Sequence, residues 1–281
     1  MAIASFLDRE TAKIDALVEE QKRLIDLLKE KRQAVITQAV TKGLNPNAPM
    51  KSSGIEWLGD VPAHWEVLSI RRVTRSVETG GTPSGDAPSE DIEDGLCWFT
   101  PGDFGEFHLE ISTKRVSDEM IDTGEAKMFP AGSVLVVGIG ATLGKTGFIS
   151  EPASANQQIN AIIPNERVDT QFLAHSLSVK VECMRFLSNA STIGILNQEK
   201  TKTIPLAVPP LTEQREIVSF LDLNNGHVQE LKSAAEHAVE VLQERRSALI
   251  SAAVTGKIDV RGLVPASDKE HPEPQRVRAN A

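Results

Sequence analysis

The feature that most constrains this chain is a repeat. Ile3-Ala-Ser-Phe-Leu-Asp8 returns as Ile217-Val-Ser-Phe-Leu-Asp222, and the match runs on without a gap at an offset of 214 residues. Leu17 corresponds to Leu231, Leu28 to Leu242, Glu30-Lys-Arg32 to Glu244-Arg-Arg246, and Ala39-Val-Thr41 to Ala253-Val-Thr255. A repeat that cannot bury its apolar face alone buries it on its own copy. Two copies of one long helix therefore bracket a single, different segment.

Both copies carry a seven-residue apolar period. Leu7, Ile14, Gln21, Leu28 and Val35 mark it in the first, with Leu17 and Leu24 three positions on. Leu221, Val228, Ala235, Leu242 and Leu249 mark it in the second, with Leu231 and Ala238. This spacing predicts a coiled-coil seam. Thr212 is the expected cap of the second helix, Gly43 and Gly256 are the expected stops, and Asn224-Asn-Gly226 predicts an irregularity. If the inserted segment begins and ends at neighbouring points, the helices run antiparallel. About 38 residues then give a rod of roughly 57 Å. The same pattern equally suits a seam between two copies of the chain.

Between the repeats, short β-like runs alternate with Gly, Pro and acidic turns. Ser133–Val137, Gly147–Ile149 and Ala161–Ile163 read as strands, and Val168–Leu187 as a helix. Ile204–Pro210 reads as extended and excluded from the middle of a sheet by its prolines. The expected layout is a long helix over 1–43, a linker and apolar anchor with Trp57 and Trp65 over 44–65, a globular domain over 66–208, the second helix over 209–257 and a disordered tail over 258–281. The fold class is α+β: a mixed α/β domain inserted between two long helices that form an antiparallel coiled coil.

Chemistry is conspicuous by its failures. Gly138-Ile-Gly-Ala-Thr-Leu-Gly-Lys-Thr146 resembles a phosphate loop, but Ile139 stands where the first glycine of that motif belongs, and Leu143 spoils the dinucleotide version. Asp118, Asp122, Glu125 and Lys127 sit in an acidic stretch and read as solvated surface. The two cysteines, Cys97 and Cys183, have no metal-ligand spacing and read as unlinked thiols in a reducing compartment. The longest apolar run is too short to span a bilayer. No catalytic set converges, and the expectation is a recognition or scaffold protein, not an enzyme. A net charge of −9 opposes an autonomous grip on a polyanion.

Several stretches together resemble the specificity (S) subunit of type I restriction–modification systems. They are Pro209-Pro-Leu-Thr-Glu-Gln-Arg-Glu-Ile217 with Ser219-Phe-Leu-Asp222, Glu244–Lys257, Thr41-Lys-Gly43, Ser53–Gly59 and Pro62-Ala-His-Trp65. Gly81-Thr-Pro-Ser84, Pro130–Leu135, Gly140–Gly144 and Asn156-Gln157 follow in that family's order. The match is to the C-terminal part of such a subunit: helix, second target-recognition domain, helix. A split gene, a truncated product and an engineered piece would all look this way.

The resemblance implies a non-catalytic reader of double-stranded DNA that directs adenine methylation and restriction to a bipartite site. Its implied partners are modification subunits, a restriction subunit reached through the complex, and a second copy of the chain or another S fragment; no membrane is involved, and the compartment is the cytoplasm. The chain itself would hold no cofactor, since S-adenosylmethionine and ATP with magnesium belong to the partner subunits. Seam residues for the partner helix are Leu7, Ile14, Leu17, Leu24, Leu28, Val35, Leu221, Val228, Leu231, Leu242 and Leu249. Amides pair with adenine and cations with guanine. The expected DNA-contacting residues are therefore Thr82, Ser84, Lys114, Arg115, Thr142, Lys145, Asn156, Gln157, Gln158, Asn197 and Lys200, with Arg71, Arg72 and Arg75 on phosphates. The alternative is a coiled-coil adaptor or inhibitor that binds modification subunits without reading DNA.

Overall fold

The structure, a computed structural model, describes residues 2–83, 88–92, 94–105, 107–188 and 194–260. The expected tail from 261 onward lies outside the described residues. In chain order the elements are α1 (Ala2–Lys42), β1 (Met50–Ser52), β2 (Asp60–Pro62), β3 (Glu66–Ser69), α2 (Ile70–Val73), β4 (Thr74–Thr79) and β5 (Leu96–Phe99). A 3-10 turn (Pro101–Asp103) leads to β6 (Lys114–Val116), α3 (Asp118–Asp122), β7 (Val134–Val137), β8 (Thr146–Phe148), β9 (Ser154–Ala155) and β10 (Ile159–Pro164). Then come α4 (Thr170–Ser178), α5 (Val181–Ser188), α6 (Gln198–Thr203), β11 (Pro205–Val208) and α7 (Leu211–Val254). No described helix is long and apolar enough to cross a membrane.

The chain forms two compact units, one of residues 1–31 with 225–281 and one of residues 32–224. In the first, the two helical stretches run antiparallel: Phe6 packs with Ala253 and Val260, and Arg246 donates to Asp15 at 2.8 Å. Ile14, Val18 and Leu28 are buried there, whereas Leu17, Leu24 and Leu231 are exposed. The expected seam is corrected accordingly. Burial runs in steps of four and three from Ile14 through Val18, Gln21, Ile25 and Leu28, so the partner sees positions one and five of the heptad, and the fourth is turned outward. Leu7, Val228, Leu242 and Leu249 are half-buried.

The second unit is built on a four-stranded sheet, order β4-β10-β7-β8, every neighbouring pair antiparallel. Strand β7 is buried on both faces: Val134 and Val136 join one core, Leu135 and Val137 the other. The period of two sends alternate side chains to opposite sides, so an unbroken apolar run is what such a strand requires. The first core takes in Ile36, Ala39 and Val40 of α1 and Ile217, Val218 and Leu221 of α7. Trp65 sits in that core at 0% exposure and donates its Nε1–H to Glu213 at 3.1 Å. Gly43, at φ 73°, ends α1 beneath it, and a Cβ there would come within 3.2 Å of the indole.

Four further expectations change. Trp57 is not buried; it is 47% exposed, with the Lys180 ammonium 4.8 Å from its ring centre. The helix expected over 168–187 is two, α4 capped by Asp169 and α5, broken after Val179. Helix α7 passes through Asn224-Asn-Gly226 without a break, helped by the Asn224 side-chain amide, which donates to the Phe220 carbonyl at 2.8 Å. Thr212 lies inside the first turn of α7, not ahead of it. Strand β11 pairs only with β3, in a two-stranded sheet, as its prolines demand.

Candidate nucleic-acid interface

The sheet end where β4 and β10 meet gathers polar side chains from distant parts of the sequence. After Thr79 the chain runs against the β9–β10 connection. The Gly80 amide donates to Ile159 at 3.0 Å and the Gly81 amide to Ala155 at 2.9 Å. A Cβ on Gly80 would lie 2.2 Å from the Ala155 carbonyl oxygen, so only glycine permits this approach. Trp98 of β5 pins the loop from the other side, its Nε1–H donating to the Gly81 carbonyl at 3.1 Å.

On this platform the Thr82 hydroxyl donates to the Gln157 side-chain oxygen at 2.5 Å. Asn156 braces Gln158: its amide nitrogen donates to the Gln158 side-chain oxygen at 3.1 Å, and its own oxygen accepts from the Gln158 backbone at 3.0 Å. Thr82 and Gln157 are exposed and Gln158 is half-buried, while Asn156 is buried beneath them. The turn between β7 and β8 joins through Gly138, whose amide donates to the Gln158 carbonyl at 2.7 Å. Leu196 returns a backbone bond to Gly138 at 2.8 Å, bringing Asn197 alongside. Buried Asn160 ties the floor together, donating to the Leu196 carbonyl at 2.6 Å and accepting from the Thr79 hydroxyl at 2.9 Å.

The other expected residues fall less centrally. Asn197 spends its oxygen capping α6, accepting from the Lys200 amide at 2.9 Å. The Lys200 ammonium donates to the Ser188 carbonyl at 2.8 Å, and that of Lys145 to the Phe104 carbonyl at 3.3 Å. Thr142 is half-buried in the β7–β8 turn. Arg115 is tied to the Gly95 carbonyl at 2.7 Å, while its neighbour Lys114 is exposed on β6. Beside them Asp103 accepts from Thr100 and Thr113. Burial opposes its charge, but those hydrogen bonds outweigh it and hold its carboxyl below the usual range. Arg71 pairs with Glu199 at 2.9 Å, and Arg72 and Arg75 are exposed. Ser84 lies outside the described residues.

Two contacts made here had no counterpart in the sequence reading. The Lys127 ammonium donates to the Thr79 carbonyl at 3.2 Å, so this residue reaches the mouth of the platform instead of a plain solvated loop. The Gln198 amide lies 3.1 Å from the Thr79 hydroxyl. Separations of 48 and 119 residues leave no local signal for either contact.

Amides and hydroxyls displayed at the end of a four-stranded sheet, in a domain that falls in sequence between two long helices, define a platform for presenting side chains. The chain belongs to the family described as the type I restriction modification DNA specificity domain, whose sequence model matches residues 62–231. It is 23% identical over 171 residues to the specificity subunit of the Escherichia coli type I restriction enzyme EcoR124I/EcoR124II, covering 59% of this chain and 42% of that protein. The corresponding figures for the Methanocaldococcus jannaschii MjaIX specificity subunit are 22% over 188 residues, 64% and 42%. The fold matches the crystal structure of the HsdS subunit from Thermoanaerobacter tengcongensis with a TM-score of 0.53 at 20% identity, over 89% of this chain and 58% of that one. A chain from a structural study of type I restriction–modification complex assembly gives 0.62 at 21%, over 88% and 58%. This chain thus spans between two-fifths and three-fifths of the length of these relatives.

Proposed function

We propose that this chain is a non-catalytic DNA sequence-recognition subunit of a type I restriction–modification complex, with one recognition domain that directs adenine methylation and restriction to one half of a bipartite site. The observation that carries the reading is the Thr82, Asn156, Gln157 and Gln158 cluster, rigidly braced from below and open above. Amides and hydroxyls held this way suit base edges in the major groove. Arg72, Arg75 and Lys127 supply charge for phosphates, which position but do not specify. The functional layout keeps 1–43 and 209–257 as helices for partner subunits, 44–65 as anchor and 66–208 as reader. Exposed Leu17, Leu24 and Leu231 offer the helices' apolar surface to modification subunits or to a second copy. S-adenosylmethionine, ATP and magnesium would reside on those partners, in the cytoplasm.

Two copies joined through their helices would place two identical readers on a palindromic, interrupted site. Methylome sequencing of cells carrying this chain and a modification subunit tests this. N6-methyladenine in an interrupted palindrome is the expected outcome, and an asymmetric bipartite motif or a lone half-motif contradicts it. The net charge of −9 favours weighing a second reading, a coiled-coil adaptor that binds modification subunits without selecting DNA. Co-purification with a modification subunit, followed by selection from random duplexes, separates the two. Replacing Gln157 by Ala relaxes selection by about 1–3 kcal/mol at one position if it reads a base, and changes nothing in an adaptor.

A further inference from the structure

Two clefts adjoin on the domain of residues 32–224 and share His108 and Glu110 in their walls. One, of about 320 Å³, is lined by Cys97, Phe99 and Leu109 on one side and Ser150, Glu151 and Pro152 on the other. The second, of about 430 Å³, is completed by Phe107, Phe148, Gln171 and Asp222. Four rings form a ladder behind it. His175 stacks on Phe107 at 4.2 Å, Phe107 meets Phe148 edge-on at 5.6 Å, and His108 lies flat on Phe148 at 4.6 Å with 2° between planes. His108 is held at both nitrogens, by Ser150 at 2.6 Å and Glu110 at 2.9 Å. That order of partners also occurs in hydrolytic triads. Here, however, the histidine is spread over a phenylalanine face and its carboxylate is largely in solvent, so the chain of bonds serves to fix the wall.

The charge of these walls is one-sided. Glu110, Glu151 and Asp222 line them, and among the described residues no lysine or arginine does. Partial burial, and then the neighbouring Asp169, push the Asp222 carboxyl above the usual carboxylate range, as happens to an acid whose neighbouring charge has its own sign. Such a surface repels a phosphate backbone. Flat π faces next to carboxylates are the surroundings in which a guanidinium binds well, by stacking and by paired hydrogen bonds together.

From the aromatic walls and unbalanced carboxylates we infer that these joined clefts, lined by none of the side chains of Thr82, Asn156, Gln157 and Gln158, dock an arginine-bearing segment of a partner protein. The guanidinium sits against the half-buried Phe107 and His108, with Phe148 buried beneath His108, and is gripped by Asp222 and Glu110, with the Gln171 amide at the rim. The inference needs no particular reading of the platform.

The intact chain titrated with acetyl-Arg-Arg-Arg-amide provides the test, with fluorophenylalanine labels at Phe107 and Phe148 read by fluorine NMR. Saturable shifts at both labels are expected. Asp222→Asn with Glu110→Gln should weaken binding at least about tenfold, whereas Glu182→Gln on α5 leaves it unchanged. A tri-lysine peptide should bind more weakly than tri-arginine. Unchanged affinity in the double variant, or shifts absent from both labels, overturns the proposal. Asp222→Asn alone guards against misfolding. It removes repulsion from Asp169, so its thermal midpoint should equal or exceed that of the parent while its peptide affinity falls; retained affinity in that folded variant overturns the proposal as well.

Discussion

The two copies of the helical repeat meet opposite fates at their shared Ser-Phe-Leu-Asp motif. In the unit of residues 1–31 and 225–281, Phe6 is 6% exposed, packed with Ala253 and Val260 and flanked by Leu249 and Ile258. In the unit of residues 32–224 its counterpart Phe220 is 39% exposed, and Leu221 beside it is the buried residue, in a core with Ile217, Val218, Ala39 and Val40. The difference comes from the segment that leaves each helix at its C-terminal end. Past Gly256 the chain folds back, and Ile258 and Val260 cover Phe6. Past Gly43 the matching positions are Leu44 and Pro46, both exposed, and cover comes instead from Trp65 over the glycine. Identical residues at identical helical positions are thus buried or displayed according to the segment that caps them.

The strongest way to break this comparison is to remove the substitute cover. Trp65→Ala should cost about 3–5 kcal/mol, because a fully buried indole leaves a cavity and takes one hydrogen bond from Glu213, whose other oxygen stays 2.8 Å from His64. Trp57→Ala, at a half-exposed position, should cost under about 1 kcal/mol, mostly the contact with Lys180. Urea unfolding followed by circular dichroism measures both. Equal losses would show that Trp65 does not close its end of the repeat.

A smaller loss should come from the motif itself. Phe6→Ala is expected to cost about 3 kcal/mol and Phe220→Ala under about 1 kcal/mol, in line with burial. Hydrogen exchange should rise for residues 2–31 and 225–254 in the first variant and stay unchanged in the domain core. A Phe220 variant as damaging as the Phe6 variant would mean that an unseen surface covers Phe220 in solution.

Acid should sharpen the contrast further. Burial, and then the charge of Arg32, pull the His175 imidazole down to about 4, so the folded domain holds it neutral. A histidine depressed below its unfolded value lets the unfolded chain bind the extra proton. The stabilisation is therefore complete above about pH 6.5 and is lost as pH falls towards 4. Its size is about 2 kcal/mol once water penetration is allowed for. The described histidines of the other unit, His227 and His237, are exposed. Lowering pH from 7 to 5 should loosen residues 32–224 first, and His175→Phe should flatten that slope. A slope that survives the substitution assigns the titration elsewhere.

What could be read beforehand divides along the same line. The repeat announced both helices, and the run Ser133–Val137 announced a strand, because apolar period and β-branched composition are local properties; that the strand is buried on both faces came from the fold. The exposure of Leu17, Leu24 and Leu231 was not legible, since a seven-residue apolar period fits a seam at positions one and four as well as one at positions one and five. Thr82, Gln157 and Gln158 were recognisable by residue type and loop chemistry. The contacts of Lys127 and Gln198 with Thr79 were not, because only the folded domain brings together residues 48 and 119 positions apart. Gly226 suggested a break that the cooperativity of a 44-residue helix overrides, a glycine costing only about 1 kcal/mol there.

The weakest expected effect tests whether charge contributes to the difference between the copies. Arg246 donates to Asp15 at 2.8 Å with both side chains substantially exposed, whereas its counterpart in the first copy, Arg32, lies close enough to buried His175 to disfavour its protonation. An exposed pair gains little because water and salt screen it. Arg246→Ala should therefore cost no more than about 0.5 kcal/mol at low salt and nothing measurable at about 1 M. Arg32→Ala should instead raise the His175 midpoint, visible by NMR, because a repelling charge is gone. If Arg246→Ala proves the more disruptive change, the antiparallel pairing of residues 1–31 with 225–254 depends on its ion pair and not on the burial of Phe6, Ile14 and Leu28.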